Sequence, residues 1–143
     1  MRRLTVLGLI LITISSTGCI FGNTATAPTT YTIVSPVTEI FQGTLNTSGS
    51  AFFTFIIGNP DPVRITLASL TMPSTGASVA TSITLGFGVP DGTTCNPTFS
   101  TTTTAALVAQ YFQVASPGRY CVIVSDPGTM TTPLNLAVRI IHS

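Results

Sequence analysis

From Val37 to Ile141 the chain repeats one pattern: a short run in which apolar and small polar side chains alternate, then a cluster of Pro, Gly, Asn, Asp or Ser. Period-two alternation is that of a strand with one face buried against a second layer, and turn residues at such close spacing leave no room for long helices. The runs are 37–45 (VTEIFQGTL), 51–57 (AFFTFII), 63–71 (VRITLASLT), 82–89 (SITLGFGV), 119–125 (RYCVIVS) and 134–141 (LNLAVRII), preceded by a short strand at 31–34 (YTIV). Alternation places Phe53, Phe55 and Ile57 on one face with Phe52 and Ile56 opposite. It points Val63, Ile65 and Leu67 inward with Arg64 outward. Ile83, Leu85, Phe87 and Val89 are expected inward, as are Leu134, Leu136, Val138 and Ile140, with Arg139 outward. The turn Gly58-Asn59-Pro60-Asp61-Pro62 predicts a hairpin between 51–57 and 63–71.

Two stretches are less regular. Pro90 to Thr104 reads as a polar loop, with Thr101–Thr104 a loop or an exposed edge, since consecutive Thr has β propensity without amphipathic pattern. Residues 106–114 (ALVAQYFQV) pass for a helix by composition. As a strand over 109–114 they put Val108, Phe112 and Val114 on the core face and leave Tyr111 exposed. The β-rich context favours the strand. Seven or eight strands, no amphipathic helix and no internal repeat predict an all-β fold, a single β-sandwich or small barrel over 31–143.

Charged residues are 6% of the chain, against about 25% in ordinary globular proteins. The formal net charge is +1 without a charge block, which excludes a nucleic-acid binder working by phosphate neutralisation. A hydrophobic fraction of 44% also excludes disorder of the highly charged kind.

The N-terminus reads as an address. Arg2 and Arg3 precede an apolar run, Leu4–Ile14, that is too short to span a bilayer, and small residues follow up to Cys19. Ser16-Thr17-Gly18-Cys19 resembles the lipobox of bacterial lipoproteins, with Ser16 where Leu is usual. The resemblance implies a signal peptide over 1–18, lipidation (palmitate among the acyl groups) at Cys19, and a location in the cell envelope, at the outer membrane or cell surface. The competing reading is secretory cleavage after Ala25-Thr26-Ala27, where Pro28 disfavours the cut. Residues 19–30 are expected to be a flexible tether. Beyond residue 18 the charges are Arg64, Arg119 and Arg139 against Glu39, Asp61, Asp91 and Asp126, so attachment would come from acyl chains rather than a basic patch. With Cys19 assigned to lipid, Cys95 and Cys121 form an even pair, which in an exported chain reads as a disulfide rather than two buried thiols.

Phe112 to Val124 (FQVASPGRYCVIV) carries an aromatic strand, a small-residue turn and Gly-x-Tyr-x-Val-x-Val. With Ser48–Leu70 and Leu134–Ile141 it resembles the bacterial pre-peptidase C-terminal domain family. That resemblance implies a jelly-roll-like sandwich, an extracytoplasmic accessory role and no catalytic residues. Ser82-Ile83-Thr84-Leu85 stands where the family is usually acidic.

Catalytic chemistry has little to draw on. The single histidine, His142, is expected to be a solvated terminal residue, which leaves a Ser-His-Asp enzyme without a base. Asp61, Asp91 and Asp126 all adjoin Pro or Gly and are explained as turn residues; no spacing supports a Ca²⁺ or other metal site, and no cofactor is implied. Asn46-Thr47-Ser48 matches a glycosylation sequon by chance in a bacterial chain. Phe53, Phe55, Phe87 and Phe112 are assigned to the core. Tyr31, Tyr111 and Tyr120 are candidates for a carbohydrate-binding surface. The reading that follows is a non-catalytic envelope lipoprotein, a binding or structural module attached to the membrane and meeting a protein or carbohydrate partner. A secreted adhesion or filament subunit assembling through strand edges is the alternative.

Overall fold

The computed structural model describes residues 34–143; the leader, Cys19, Tyr31 and most of the 31–34 segment lie outside the described residues. Eight strands follow: β1 (Val37–Leu45), β2 (Ser50–Ile57), β3 (Asp61–Thr71), β4 (Ile83–Asp91), β5 (Thr94–Thr103), β6 (Tyr111–Ala115), β7 (Gly118–Ser125) and β8 (Leu134–His142). They form two four-stranded sheets, β1-β8-β3-β6 (sheet A) and β2-β7-β4-β5 (sheet B), and every pairing is antiparallel. The partnerships β1–β8, β2–β7, β3–β6 and β4–β5 are nested, as in a long antiparallel ribbon wound around a barrel, and this is the jelly roll. All eight strands and their shared core lie within 34–143.

The core is built as alternation predicts over most of its length. Val63, Ile65, Leu67, Ile83, Leu85, Val122, Val124, Val138 and Ile140 are all at most 1% exposed. A bulge at Ala68 resets the phase of β3, so Leu67 and Leu70 both face inward. One end of the core is aromatic. The Phe87 ring lies 4.6 Å from Tyr111, 5.1 Å from Tyr120 and 6.3 Å from Phe55.

Four expectations are corrected. First, β2 and β3 do not form a hairpin: they belong to different sheets. The connection Gly58–Pro60 steps across the sandwich, and the Gly58 and Asn59 amides donate to the Ser143 carbonyl rather than to a facing strand. Second, the polar stretch after Pro90 is a strand, β5. It is a sheet edge, paired only with β4, so it needs little alternation, and its Thr-rich half runs beside Ile83–Leu85. Third, β6 has the opposite phase. Ala106 and Gln110 donate backbone N–H groups to the carbonyls of Leu67 and Ile65, and the Gln110 side chain accepts from the Leu67 amide. These bonds set Tyr111 opposite Ile65 and Phe112 opposite Arg64. Directly opposed residues share a face, so Tyr111 turns inward with Ile65, and Phe112 and Val114 turn outward, both more than 60% exposed. Fourth, Val89 is half exposed, because β4 leaves its pairing with β7 at Gly88.

Gly86 and Gly88 occupy the outer face of β4, and the edge of sheet B folds over them. Cys95 and Cys121 stand on strands separated by β4, which in a flat sheet would be about 9.5 Å apart. Their Cα atoms are 5.9 Å apart, joined by a disulfide. The start of β5 therefore curls across Gly88. A Cβ at Gly88 would sit 1.9 Å from the Asn96 carbonyl oxygen and 2.6 Å from Pro97 Cα, both backbone atoms. We expect Gly88→Ala to cost about 3 kcal/mol or more in urea unfolding. Gly43→Ala, whose Cβ would meet only the Phe53 ring at 3.5 Å, should be close to neutral.

Candidate functional site

The four acidic side chains of the described residues stand apart from one another. Asp126 is the most engaged. The turn Asp126-Pro127-Gly128 bends the chain after β7, and Asp126 Oδ1 accepts the amides of Gly128 (2.9 Å), Thr129 (2.8 Å) and Met130 (3.1 Å). Its Oδ2 accepts the amide of Ser48 at 2.7 Å, and its own amide donates to the Gly49 carbonyl. Ser48 is left-handed (φ 54°), the conformation that aims its N–H at the carboxylate. Asp126 thus pins the β1–β2 turn to the β7–β8 loop. The turn role was legible from Pro and Gly beside it; the partner 78 residues away was not.

The amide of Ser48 holds the Asp126 carboxyl below the usual carboxylate range, against the opposing effect of burial, with Thr129, Met130 and Gly128 adding to the lowering. A depressed carboxyl stabilises the fold fully above its unfolded pKa, and the contribution disappears as pH falls through the lower folded value. The urea midpoint of the native chain should therefore drop on acidification below about pH 4. In Asp126→Asn that drop should be smaller and the neutral-pH midpoint lower.

His142 is not a solvated end. It is 3% exposed, closes β8 opposite Val37, and packs its ring 5.3 Å from Phe55. Its Nε2 lies within hydrogen-bond distance, 2.8 Å, of Glu39 Oε1. Nδ1 is buried without a hydrogen-bond partner among the described residues. Beside the pair a shallow cleft of about 450 Å³ is lined by Glu39, Thr54, Phe55, Ile56 and Arg119. This arrangement fixes the orientation of the imidazole. Sequence reasoning missed it because the pairing of the two terminal strands, which brings Glu39 to His142, is not written in either segment. Asp61 opens β3 opposite Ala115, and Asp91 ends β4 at the β4–β5 turn. Among the described residues no three His, Cys, Asp or Glu side chains gather as a metal site would require.

The outer face of sheet A brings together side chains from β1, β8, β3 and β6. Arg64 and Arg139 point outward as expected. The Arg64 guanidinium lies 5.0 Å over the Phe112 ring, and Arg139 Nη2 donates to the Leu107 carbonyl at 3.2 Å. The other end of the same face is a groove of about 460 Å³ lined by uncharged polar groups, among them Gln42, Thr44, Ser69, Thr71 and Asn135. Tyr111 and Tyr120 do not form a carbohydrate platform. Tyr111 is buried against Phe87 and Phe99, and Tyr120 stacks on Phe87 and donates its hydroxyl to the Ser116 carbonyl. Burial pushes the Tyr111 hydroxyl above its ordinary pKa, with Tyr120 adding to the effect. Of the assigned core phenylalanines, Phe55 and Phe87 are buried, Phe53 is partly buried against Phe41, and Phe112 is not in the core.

Cys95 and Cys121 are joined as expected, and Cys19 lies outside the described residues. Compared with known proteins, the chain matches no family model and no curated relative. The bridge closes a loop of 26 residues, for which chain entropy gives about 3.5 kcal/mol. Reduction, or the Cys95→Ala, Cys121→Ala double variant, should lower unfolding stability by about that amount while leaving a β-rich circular dichroism spectrum.

Proposed function

We propose that this chain is a non-catalytic lipoprotein of the bacterial cell envelope, a jelly-roll module held at a membrane by acyl groups on Cys19 and serving a binding or structural role. The observation that carries the reading is the leader: Arg2-Arg3, the short apolar run and Ser16-Thr17-Gly18-Cys19. The Cys95–Cys121 bridge supports it, because such bonds persist in oxidising compartments. The dispersal of the acidic side chains and the structural engagement of Asp126 support a role in binding rather than in chemistry. The uncharged groove beside Asn135 suits a neutral polar partner such as a carbohydrate, and the exposed apolar residues of β6 suit a protein or lipid partner. An accessory role of the kind that the pre-peptidase C-terminal resemblance implies belongs to the same proposal.

One feature favours the alternative, a secreted adhesion or filament subunit. β6 is a sheet edge whose Phe112 and Val114 are exposed, and the open side of an edge strand is a template for strand pairing. Intact mass of the protein extracted from its native membranes separates the two. We expect the mass of residues 19–143 plus acyl groups, rising by two hydrogens on reduction, and we expect Cys19→Ala to move the protein to the soluble fraction. A mass corresponding to cleavage after Ala27 would overturn the anchor and put the secreted subunit first.

A further inference from the structure

Cross-strand pairing divides the outer face of sheet A into two chemically different halves. The half nearest the β1–β2 turn is the uncharged polar groove. The half nearest the start of β1 carries the rows Thr38–Ile141–Arg64–Phe112 and Ile40–Arg139–Thr66, with Val114 opposite Pro62. Ile40, Phe112 and Val114 are each more than 60% exposed, and Leu107, which Arg139 holds through its carbonyl, is 90% exposed. Two of the three arginines of the described residues are here. The acidic side chains are elsewhere: Glu39 turns to His142, Asp61 shares the inward phase of Val63, Asp91 ends β4 in the other sheet, and Asp126 is held at the opposite end of the sandwich.

We propose that this half-face docks on the anionic surface of a phospholipid bilayer, the one in which Cys19 would be anchored; the inference therefore rests on the lipoprotein reading. Charge is the first argument, and it departs from the sequence expectation that attachment would come from acyl chains alone. A chain that is net negative beyond its leader gathers guanidinium groups without carboxylates on one patch, which complements phosphate headgroups. Side-chain chemistry is the second. An aromatic ring and aliphatic groups flanked by arginines suit the boundary between headgroups and acyl chains, where apolar parts bury and charged ends stay at the surface. Stacking on Phe112 leaves the edge N–H groups of Arg64 free to donate to phosphate oxygens. Position is the third. The chain enters the domain through Val34, beside Val37, and Val37 pairs with His142 at the same end of sheet A as the row ending in Phe112. Roughly 15 residues separate Cys19 from Val34, and at full extension they reach no more than about 50 Å, so an anchored chain keeps this end near the bilayer.

The test uses residues 19–143 carrying Cys19→Ser, which keeps every described strand and cannot be acylated. The anchor itself is judged separately, by the mass of the native protein. The variant is co-sedimented with vesicles of phosphatidylglycerol and phosphatidylethanolamine, or of phosphatidylcholine alone. We expect binding to the anionic vesicles, about tenfold weaker binding to phosphatidylcholine, and a several-fold loss between about 0.05 M and about 0.5 M NaCl. Arg64→Gln with Arg139→Gln, and Phe112→Ser with Val114→Ser, should each weaken it about tenfold. Thr44→Ala with Asn135→Ala, on the polar half, should leave it unchanged. Should a double variant fail to keep its β-rich spectrum, Arg64→Gln alone and Val114→Ser alone carry the test. Failure to bind anionic vesicles, equal binding to both compositions, or equal loss in the Thr44/Asn135 variant would overturn the proposal. So would a dimer in sedimentation equilibrium that Phe112→Ser with Val114→Ser abolishes in a protein that ignores vesicles, an outcome that assigns the face to a second copy.

Discussion

The antiparallel ladder between β1 and β8, from Val37 opposite His142 to Leu45 opposite Leu134, joins the first and last strands, and the rest of the sandwich is arranged around it. β8 is flanked by β1 and β3, and its inward row, Leu134, Leu136, Val138, Ile140 and His142, is buried throughout. A strand so placed is paid for in loop-closure entropy before any of its contacts form. Both of its ends are pinned. Asp126 gathers the loop that leads into β8, and the amides of Gly58 and Asn59 hold the Ser143 carbonyl just beyond it. The Glu39–His142 pair belongs to the same closure, since it exists only where the two terminal strands meet.

A chain with so few charges has to protect its sheet edges by other means. β5 is bent over the glycines of β4 and tied by the Cys95–Cys121 bond, and Pro97 removes one donor from that edge. Its Thr-rich half offers hydroxyls in place of charges while keeping β propensity. β6 is only five residues long, so the edge it leaves open is short. The low charge and the abundance of threonine are thus two aspects of one solution. The apolar remainder on β6 and β1 is what a partner surface would use.

Much of the fold was legible. Alternation marked most of the strands and nearly every core position in β2, β3, β4 and β8, because burial of one face imposes period two directly on the residues. The bridge was legible from the parity of the cysteines after Cys19 was set aside. Several things were not, three of them in the placement of strands. β5 escaped because an edge strand buries too little to leave a pattern. The phase of β6 escaped because FQV and YFQ alternate equally well, and the choice was made by Gln110 bonding to Ile65 and Leu67. The hairpin between β2 and β3 was misplaced because a Gly-Asn-Pro turn reverses the chain equally well within a sheet or between sheets.

The amino-acid sequence by itself determined the all-β class, the inward rows of most strands, the cysteine pairing and the glycines that accommodate it. These are local matters of side-chain period, backbone permissiveness and parity. Tertiary structure alone decided which strands are neighbours, and with that whether Tyr111 or Phe112 faces solvent, that Asp126 captures Ser48, and that His142 meets Glu39. The reason is that antiparallel pairing assigns each residue the face of its partner, and the partners here lie as far apart in the chain as Val37 and His142.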